Sequence, residues 1–293
     1  MKNTTATISC FARAYHRLVN AHPVFDDTAA RALLGEQFDA IAQNISAGVR
    51  YFLPDFTGTP EAGLRLVVDE QLAPSVLARS AFCEQKLAAS DCGQYVIFAS
   101  GYDTFAIRNA DAPLPVFELD LPKLLSDKQR RIDRAGLKTC AVYIPCDLSG
   151  DEWEEKLLTG GFRPKAKSFG SLLGISYYLK ESELAALLCS VAKLMLPGSL
   201  LCMDYPSAEE SRSATVNREL AFEAGEPMQA SYRPERMQKL LSDCGFAVLE
   251  HLSPEQMTRQ FFAEHNSAAP ELPMRAPDGV RYILAEKSER HTN

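Results

Sequence analysis

Apolar residues follow two different periods along this chain, and the change falls near residue 90. Before it, Phe11, Tyr15 and Leu18 recur at spacings of three and four, and Ala29, Ala30, Leu33, Leu34, Phe38 and Ile41 keep the same rhythm. The segment VVDEQLAPSVLARSAFCEQKLAAS continues it around Pro74. Such spacing gathers apolar side chains on one helix face, so residues 9 to 90 are predicted to be largely helical. SAGVRYFLPDFTGTPEAG, broken by Gly48, Pro54, Gly58 and Pro60, is predicted as a long connection within them.

Beyond residue 90, short unbroken apolar runs alternate with amphipathic stretches of helical length. QYVIFASG, VFELD (116 to 120), TCAVYIPCD (139 to 147), the stretch around Phe169 to Leu173, and SLLCMDY are the runs. Runs without polar alternation suit strands covered on both faces, as in a parallel sheet. PKLLSDKQRRIDRAG, between the second and third runs, has Pro122 near its start and Gly136 at its end, the usual asymmetry of helix termini. DEWEEKLLTGGF, ESELAALLCSVAKLML and PERMQKLLSDCGF read as further helices, and AVLEHL (247 to 252) and VRYILAEK (280 to 287) as the last two strands. The predicted class is α/β, a Rossmann-like and mostly parallel sheet in residues 91 to 293 with a helical extension in residues 1 to 90. Insertions near 206 to 233 and 252 to 279 are expected to act as lids.

Composition narrows the function. Of 293 residues, 46% are hydrophobic and 24% charged, which excludes a disordered or fibrous chain. A net charge of -7 supplies no concentrated positive face, so no nucleic-acid partner is expected. Basic clusters are only local, as in Lys128-Gln129-Arg130-Arg131. The eight cysteines form no Cys-x-x-Cys pair, and Cys189 and Cys202 lie inside apolar runs, which points to buried free thiols without zinc or a disulfide framework. No apolar run approaches 18 residues, and the first residues carry no leader pattern. A cytoplasmic protein without a membrane partner is expected.

In an open parallel sheet, ligands lie beyond the carboxyl ends of the strands. Three such ends carry suggestive groups. In ASGYDT (99 to 104), Gly101 permits close backbone approach, while Asp103 and Thr104 suit a ligand or a helix start. Glu118 and Asp120 end the next strand, and Asp120, 19 residues beyond Gly101, is placed to accept both hydrogens of a ribose diol. After the third strand, Asp147 suits an amino group and Leu148 a purine face. Taken singly, each is an ordinary turn or capping residue; taken together, they suggest a nucleoside site. The turn has one glycine where a dinucleotide site has G-x-G-x-x-G, and Asp103 would repel a pyrophosphate. S-adenosyl-methionine has no phosphate and carries an ammonium and a sulfonium, so the acidic turn favours a methyl donor.

The blocks FARAYH, FDDTAARALL, RSAFCEQKL, GQYVIFASGYDTFAIR, VFELDLPKLLSDKQRRI, IPCDLSGDEWEEKLLTGGF, SYYLKESELAALL, LPGSLLCMDY and YRPERMQKLLSDCGF follow one another across most of the chain. In them the chain resembles the class I S-adenosyl-methionine-dependent methyltransferases, particularly the leucine carboxyl methyltransferase family, which includes bacterial O-methyltransferases associated with polyketide-type small molecules. The resemblance implies a seven-stranded sheet with its last strand antiparallel, N-terminal helices over the cleft, and S-adenosyl-L-methionine as cofactor. It further implies that Arg13 and Arg79 meet the donor's carboxylate, Gly101 its amino-acid part, Asp120 its ribose, and Asp147 with Leu148 its adenine. Asp103, Thr104 and Arg108 match the family's turn after the first strand. Two positions depart from the pattern: Ala99 stands where the turn usually has glycine, and Leu173-Gly174 where it usually has an acid and glycine.

Methyl transfer depends on in-line positioning, and a carboxylate acceptor needs no general base near neutral pH. A phenol or alcohol does, and His251, after the sixth strand, is the candidate catalytic base. Tyr177 and Tyr178 are expected at the mouth of the cleft, with Met228, Tyr232, Met257, Phe261 and Phe262 as an apolar acceptor wall. The expected reaction is O-methylation of a small-molecule hydroxyl, phenol or carboxylate. The alternatives are a donor-binding or regulatory protein that has lost turnover, motivated by Ala99 and Leu173, and a methyltransferase acting on a protein's C-terminal carboxylate.

Overall fold

A computed structural model describes residues 4–150, 152–208, 222, 225 and 227–289. Its seven strands are β1 (Tyr95–Phe98), β2 (Val116–Asp120), β3 (Ala141–Pro145), β4 (Phe169–Leu172), β5 (Leu200–Pro206), β6 (Phe246–Leu252) and β7 (Val280–Lys287). They lie in the order β3-β2-β1-β4-β5-β7-β6. β3, β2, β1, β4 and β5 pair in parallel, and β7 runs antiparallel to both β5 and β6. The order reverses between β1 and β4, so the crevice of this sheet opens beyond the ends of those two strands. All residues of β1, β2 and β4 are buried, as their unbroken apolar runs predicted, whereas the edge strands β3 and β6 are partly exposed.

The N-terminal region forms α1 (Thr4–Val19), α2 (Ala30–Leu34), α3 (Gln37–Ala47), α4 (Val49–Phe52), α5 (Pro60–Val67) and α6 (Ala73–Ala88). These helices share one hydrophobic cluster with the sheet, in which Phe11, Leu77 and Phe82 join Tyr95, Ile97 and Tyr282. Periodicity overstated their continuity. Gly35, at φ 56°, separates α2 from α3, and the predicted long connection contains α4, whose Val49 is buried. Leu18, expected on the apolar face, is 60% exposed. Between α5 and α6 the helix passes through a π turn at Val68–Leu72.

The crossover helices follow the sequence signals. Pro122–Ala135 begins on proline and ends at Gly136, which is left-handed at φ 62°. Trp153–Thr159, Glu181–Leu194 and Pro234–Asp243 are the others, and the segment between β6 and β7 carries short helices at Pro254–Met257 and Ala263–Ala268. The expected insertion at 206–233 lies largely outside the described residues. The expectation of free thiols fails at one pair: Cys189 and Cys244 are joined, with Cα atoms 4.6 Å apart. The two helices bearing them pack side by side, a proximity that spacing along the chain does not reveal. Lys128, from the local basic cluster, is fully buried and pairs with the equally buried Glu118. Among the described residues, no helix is long and apolar enough to cross a membrane.

Candidate functional site

The loop after β1 is a tight turn in which Ala99 (φ 53°) and Gly101 (φ 52°) both take the left-handed conformation. Glycine does this freely; alanine is strained there. The turn closes on the end of β2. Asp120 accepts from the Gly101 N–H at 2.7 Å through Oδ2 and from the Leu121 N–H at 2.7 Å through Oδ1. Each oxygen keeps a second lone pair, so the carboxylate can still receive two hydroxyls. Burial raises its pKa, against the lowering effect of the two amides. Asp103 Oδ1 accepts from the Phe105 N–H at 2.7 Å and starts the short helix Phe105–Arg108.

The N-terminal helices are bolted to this turn by charge. Arg13, buried in α1, donates to Asp27 Oδ2 at 2.7 Å and to the Tyr102 carbonyl at 2.7 Å. Asp27 also accepts from Thr104 Oγ1 at 2.7 Å and from the N–H groups of Ala29 and Ala30. Burial alone would raise the Asp27 carboxyl, but Arg13 and Arg108 outweigh it and hold the pKa below the ordinary carboxylate range. Arg108 continues to Glu84 on α6, whose pKa burial pushes up to about 7 against the pull of that arginine. On the other side, Tyr102 Oη donates to Asp127 at 2.5 Å. Burial is the largest single influence on this carboxyl and raises it, but the hydrogen bonds from Tyr102, Arg131 and Arg130 together outweigh it and lower the pKa to about 2.

A second anchor sits beyond β4 and β5. Asp204, fully buried at the end of β5, accepts from the Gly174 N–H at 2.6 Å, Tyr177 Oη at 2.9 Å and Arg79 at 3.4 Å. Burial and the neighbouring Asp204 push the Tyr177 phenol well above its ordinary pKa. The Arg79 guanidinium lies directly over Gly174, where a Cβ would come within 2.7 Å of it.

Two adjoining chambers result. One, of about 360 Å³, lies over the strand ends and is lined by Arg13, Ala99, Gly101, Asp103, Asp120 and Leu173, among others. The other, of about 440 Å³, is mostly apolar and is enclosed by the start of α1, by Ile45 and Phe52, by one face of α6, and by Tyr177, Met228 and Val280. Thr5, Ser9, Arg79, Gly174 and Tyr178 line both.

Five of the sequence candidates, Arg13, Arg79, Gly101, Asp103 and Asp120, therefore converge on one cavity. Others do not. Asp147 is exposed beyond β3, its Oδ1 taken by the N–H and hydroxyl of Ser149, and neither it nor Leu148 lines the cavity. His251 lines neither chamber: its ring is held between Tyr205 Oη at 2.7 Å and Gln238 Nε2 at 3.0 Å. Glu118 points to Lys128 instead of the strand end. Of the proposed acceptor wall, Met228 reaches the apolar chamber, whereas Tyr232 packs edge-to-face with Tyr205, Phe261 edge-to-face with Phe82, and Met257 and Phe262 are core. Asp204 and Asp27, which hold the walls of the site, are not among the sequence candidates. Asp204 ends a strand as Asp120 does, and that signal was there to be read in SLLCMDY.

The strand-end chamber fits an adenosyl donor by its own chemistry. A carboxylate with two free lone pairs suits the diol, a cationic guanidinium suits a carboxylate, and Asp103 suits an ammonium. The comparisons with known proteins agree. The leucine carboxyl methyltransferase profile matches residues 6–192. A Bacillus subtilis (strain 168) protein named "Putative S-adenosyl-L-methionine-dependent methyltransferase YktD" is 32% identical over 303 residues, covering 97% of this chain and 97% of its own. A similarly named Frankia alni protein is 38% identical over 122 residues, or 40% of this chain and 43% of its own. Among solved structures, a Streptomyces avermitilis DUF574 family protein has a TM-score of 0.55 at 13% identity, covering 83% of this chain and 96% of that one. A methyltransferase from Thermobifida fusca, also named as putative, has a TM-score of 0.56 at 12% identity, covering 84% and 95%. At these identities the structural likeness speaks for the fold alone. The profile match and the full-length relative carry the assignment: the chain belongs to the leucine carboxyl methyltransferase family, within the class I S-adenosyl-methionine-dependent methyltransferases.

Proposed function

We propose that this protein methylates an oxygen of a small, mostly apolar molecule whose acceptor oxygen is already anionic near neutral pH, with S-adenosyl-methionine as donor. The observation that carries the reading is the pair of chambers meeting at Arg79, Gly174 and Tyr178 beyond the sheet's reversal point. The bound donor supplies an activated methyl group. In this reading Asp120 takes the donor's ribose and Arg79 its carboxylate, while Gly101 lets the backbone approach. Arg13 is a positioning residue, because its guanidinium is committed to Asp27 and the Tyr102 carbonyl. The apolar chamber orients the acceptor and excludes water.

The anionic acceptor follows from what lines that chamber. Among the described residues around it, the titratable side chains are Arg79, Tyr177 and Tyr178. Tyr177 is a very weak acid in its place beside Asp204, and among the described residues lining the chamber there is no histidine or carboxylate to remove a proton. A carboxylate or an acidic phenol needs no such group; an alcohol does. Transfer from methyl-labelled donor to panels of carboxylates, acidic phenols and aliphatic alcohols tests this. Transfer to the first two and not the third is expected, whereas an alcohol as the best acceptor would overturn it. Leu173, which puts a hydrocarbon where relatives of the family carry an acid, favours a second reading: a donor-binding protein without turnover. Tight donor binding with no transfer across all three panels would support that one instead.

A further inference from the structure

The π turn at Val68–Leu72 is where α5 passes into α6, and its signature bond runs from the Ala73 N–H back to the Val68 carbonyl. A π turn adds one residue to the α register and is frequent at functional sites. Pro74 gives it a local opening, because a residue without an N–H breaks the α ladder whatever the register. The turn then points its side chains in two directions. Asp69 faces α1, with Oδ1 3.4 Å from His16 Nδ1, and pairs with Arg65. Gln71 and Leu72 face the apolar chamber. From Gln71 the line continues through Ser75 to Arg79 at steps of four residues, a polar stripe on this side of a mostly apolar chamber, with Thr4, Thr5 and Ser9 on the α1 side. Arg79 marks the boundary with the donor chamber, about 12 Å of helix from Gln71.

Gln71 Oε1 is buried and has no hydrogen-bond partner among the described residues. An amide oxygen can only accept, and burying it without a donor carries a penalty that a donor would remove. We propose that Gln71 determines acceptor specificity: its side chain turns so that the amide oxygen, buried behind the wall in the free protein, receives a hydrogen bond from a hydroxyl or N–H on the acceptor's body, at the end away from the donor chamber. The proposal rests on the methyltransferase reading above and narrows the substrate class. The acceptor is an apolar molecule with an anionic oxygen at one end and a neutral hydrogen-bond donor toward the other.

Calorimetric titration of protein saturated with S-adenosyl-homocysteine tests it, using carboxylates that differ only by a distal hydroxyl. Suitable pairs are 6-hydroxy-2-naphthoate with 2-naphthoate and 10-hydroxydecanoate with decanoate. In the wild type, at least one hydroxylated member is expected to bind about tenfold tighter than its partner. In Gln71→Met that ratio falls to near one, with S-adenosyl-homocysteine affinity unchanged. The free Gln71→Met protein is also expected to melt about 2 °C higher, because an unsatisfied buried oxygen has gone; a glutamine with a merely structural role would melt lower when removed. Gln71→Asn, which keeps the amide but withdraws it by one methylene, loses the preference too and carries the test if the methionine variant does not fold. The proposal is overturned if the wild type prefers no hydroxylated member, or if the preference survives in either variant. Failure to bind S-adenosyl-homocysteine at all would sink the methyltransferase reading itself, which the same titration detects first.

Discussion

The two chambers of the cleft are built on opposite principles. The donor chamber stands on strand ends, where the parallel ladder fixes the backbone of β1, β2 and β4, and its polar groups are held by backbone amides and a closed charge network. The acceptor chamber is assembled from α1, α3, α4, α6, the loop after β4, and single residues such as Met228 and Val280. Its wall is mostly hydrocarbon, and the unsatisfied Gln71 amide oxygen is buried behind it. A chamber fixed by the sheet binds a constant molecule, while a chamber made of separate helices can be re-shaped without disturbing the fold.

The contrast is sharpest where the chambers join, so the largest effects are expected there. Asp204→Ala leaves the partly exposed Arg79 guanidinium, the Tyr177 hydroxyl and the Gly174 N–H without their acceptor and should destabilise the protein by about 2–4 kcal/mol. Denaturant midpoints check this; a change below about 1 kcal/mol would mean that the two chambers are not pinned at Asp204. Gly174→Ala forces a Cβ against Arg79 at a backbone φ of 71°. It should lower stability by about 1–3 kcal/mol and weaken S-adenosyl-homocysteine binding, since the guanidinium has to leave its place.

Legibility in the sequence divides along the same line. Strand ends and helix caps are local, so VFELD, Gly136 and the turn at 99–104 are legible in the sequence alone. Asp147 was overread because an acid at a strand end looks the same whether it faces the crevice or, as here, caps its own loop through Ser149. His251 was proposed from position along the chain, but β6 lies at the far edge of the sheet, and strand order is not written in strand sequence. The acceptor wall was the least legible part. Its residues come from segments as far apart as Thr4 and Val280, and the π turn that aims Gln71 leaves no trace in a 3.6-residue pattern beyond Pro74.

Smaller effects sharpen the donor side. Asp127 holds the Tyr102 hydroxyl, and its folded pKa of about 2 lies below the unfolded value. Its contribution is therefore present above about pH 4 and is lost as the pH falls toward 2, worth about 1 kcal/mol after allowing for its exposure. Asp127→Asn should flatten that part of the stability-versus-pH curve; an unaltered acid limb would remove Asp127 from the account. Ala99→Gly relieves a left-handed alanine at the expense of a more flexible unfolded chain, with a net gain of about 1 kcal/mol expected from thermal melts. A loss of stability would show that the alanine methyl packs usefully in the turn.

The central claim is that the chamber over β1, β2 and β4 holds the methyl donor, with Asp120 receiving its ribose. Titrating S-adenosyl-homocysteine into the wild type and into Asp120→Asn tests it most directly, with near-ultraviolet circular dichroism to verify that the variant is folded. The account predicts one site in the wild type and affinity about ten- to a hundredfold weaker in the variant. Equal affinity in a folded Asp120→Asn protein would contradict it.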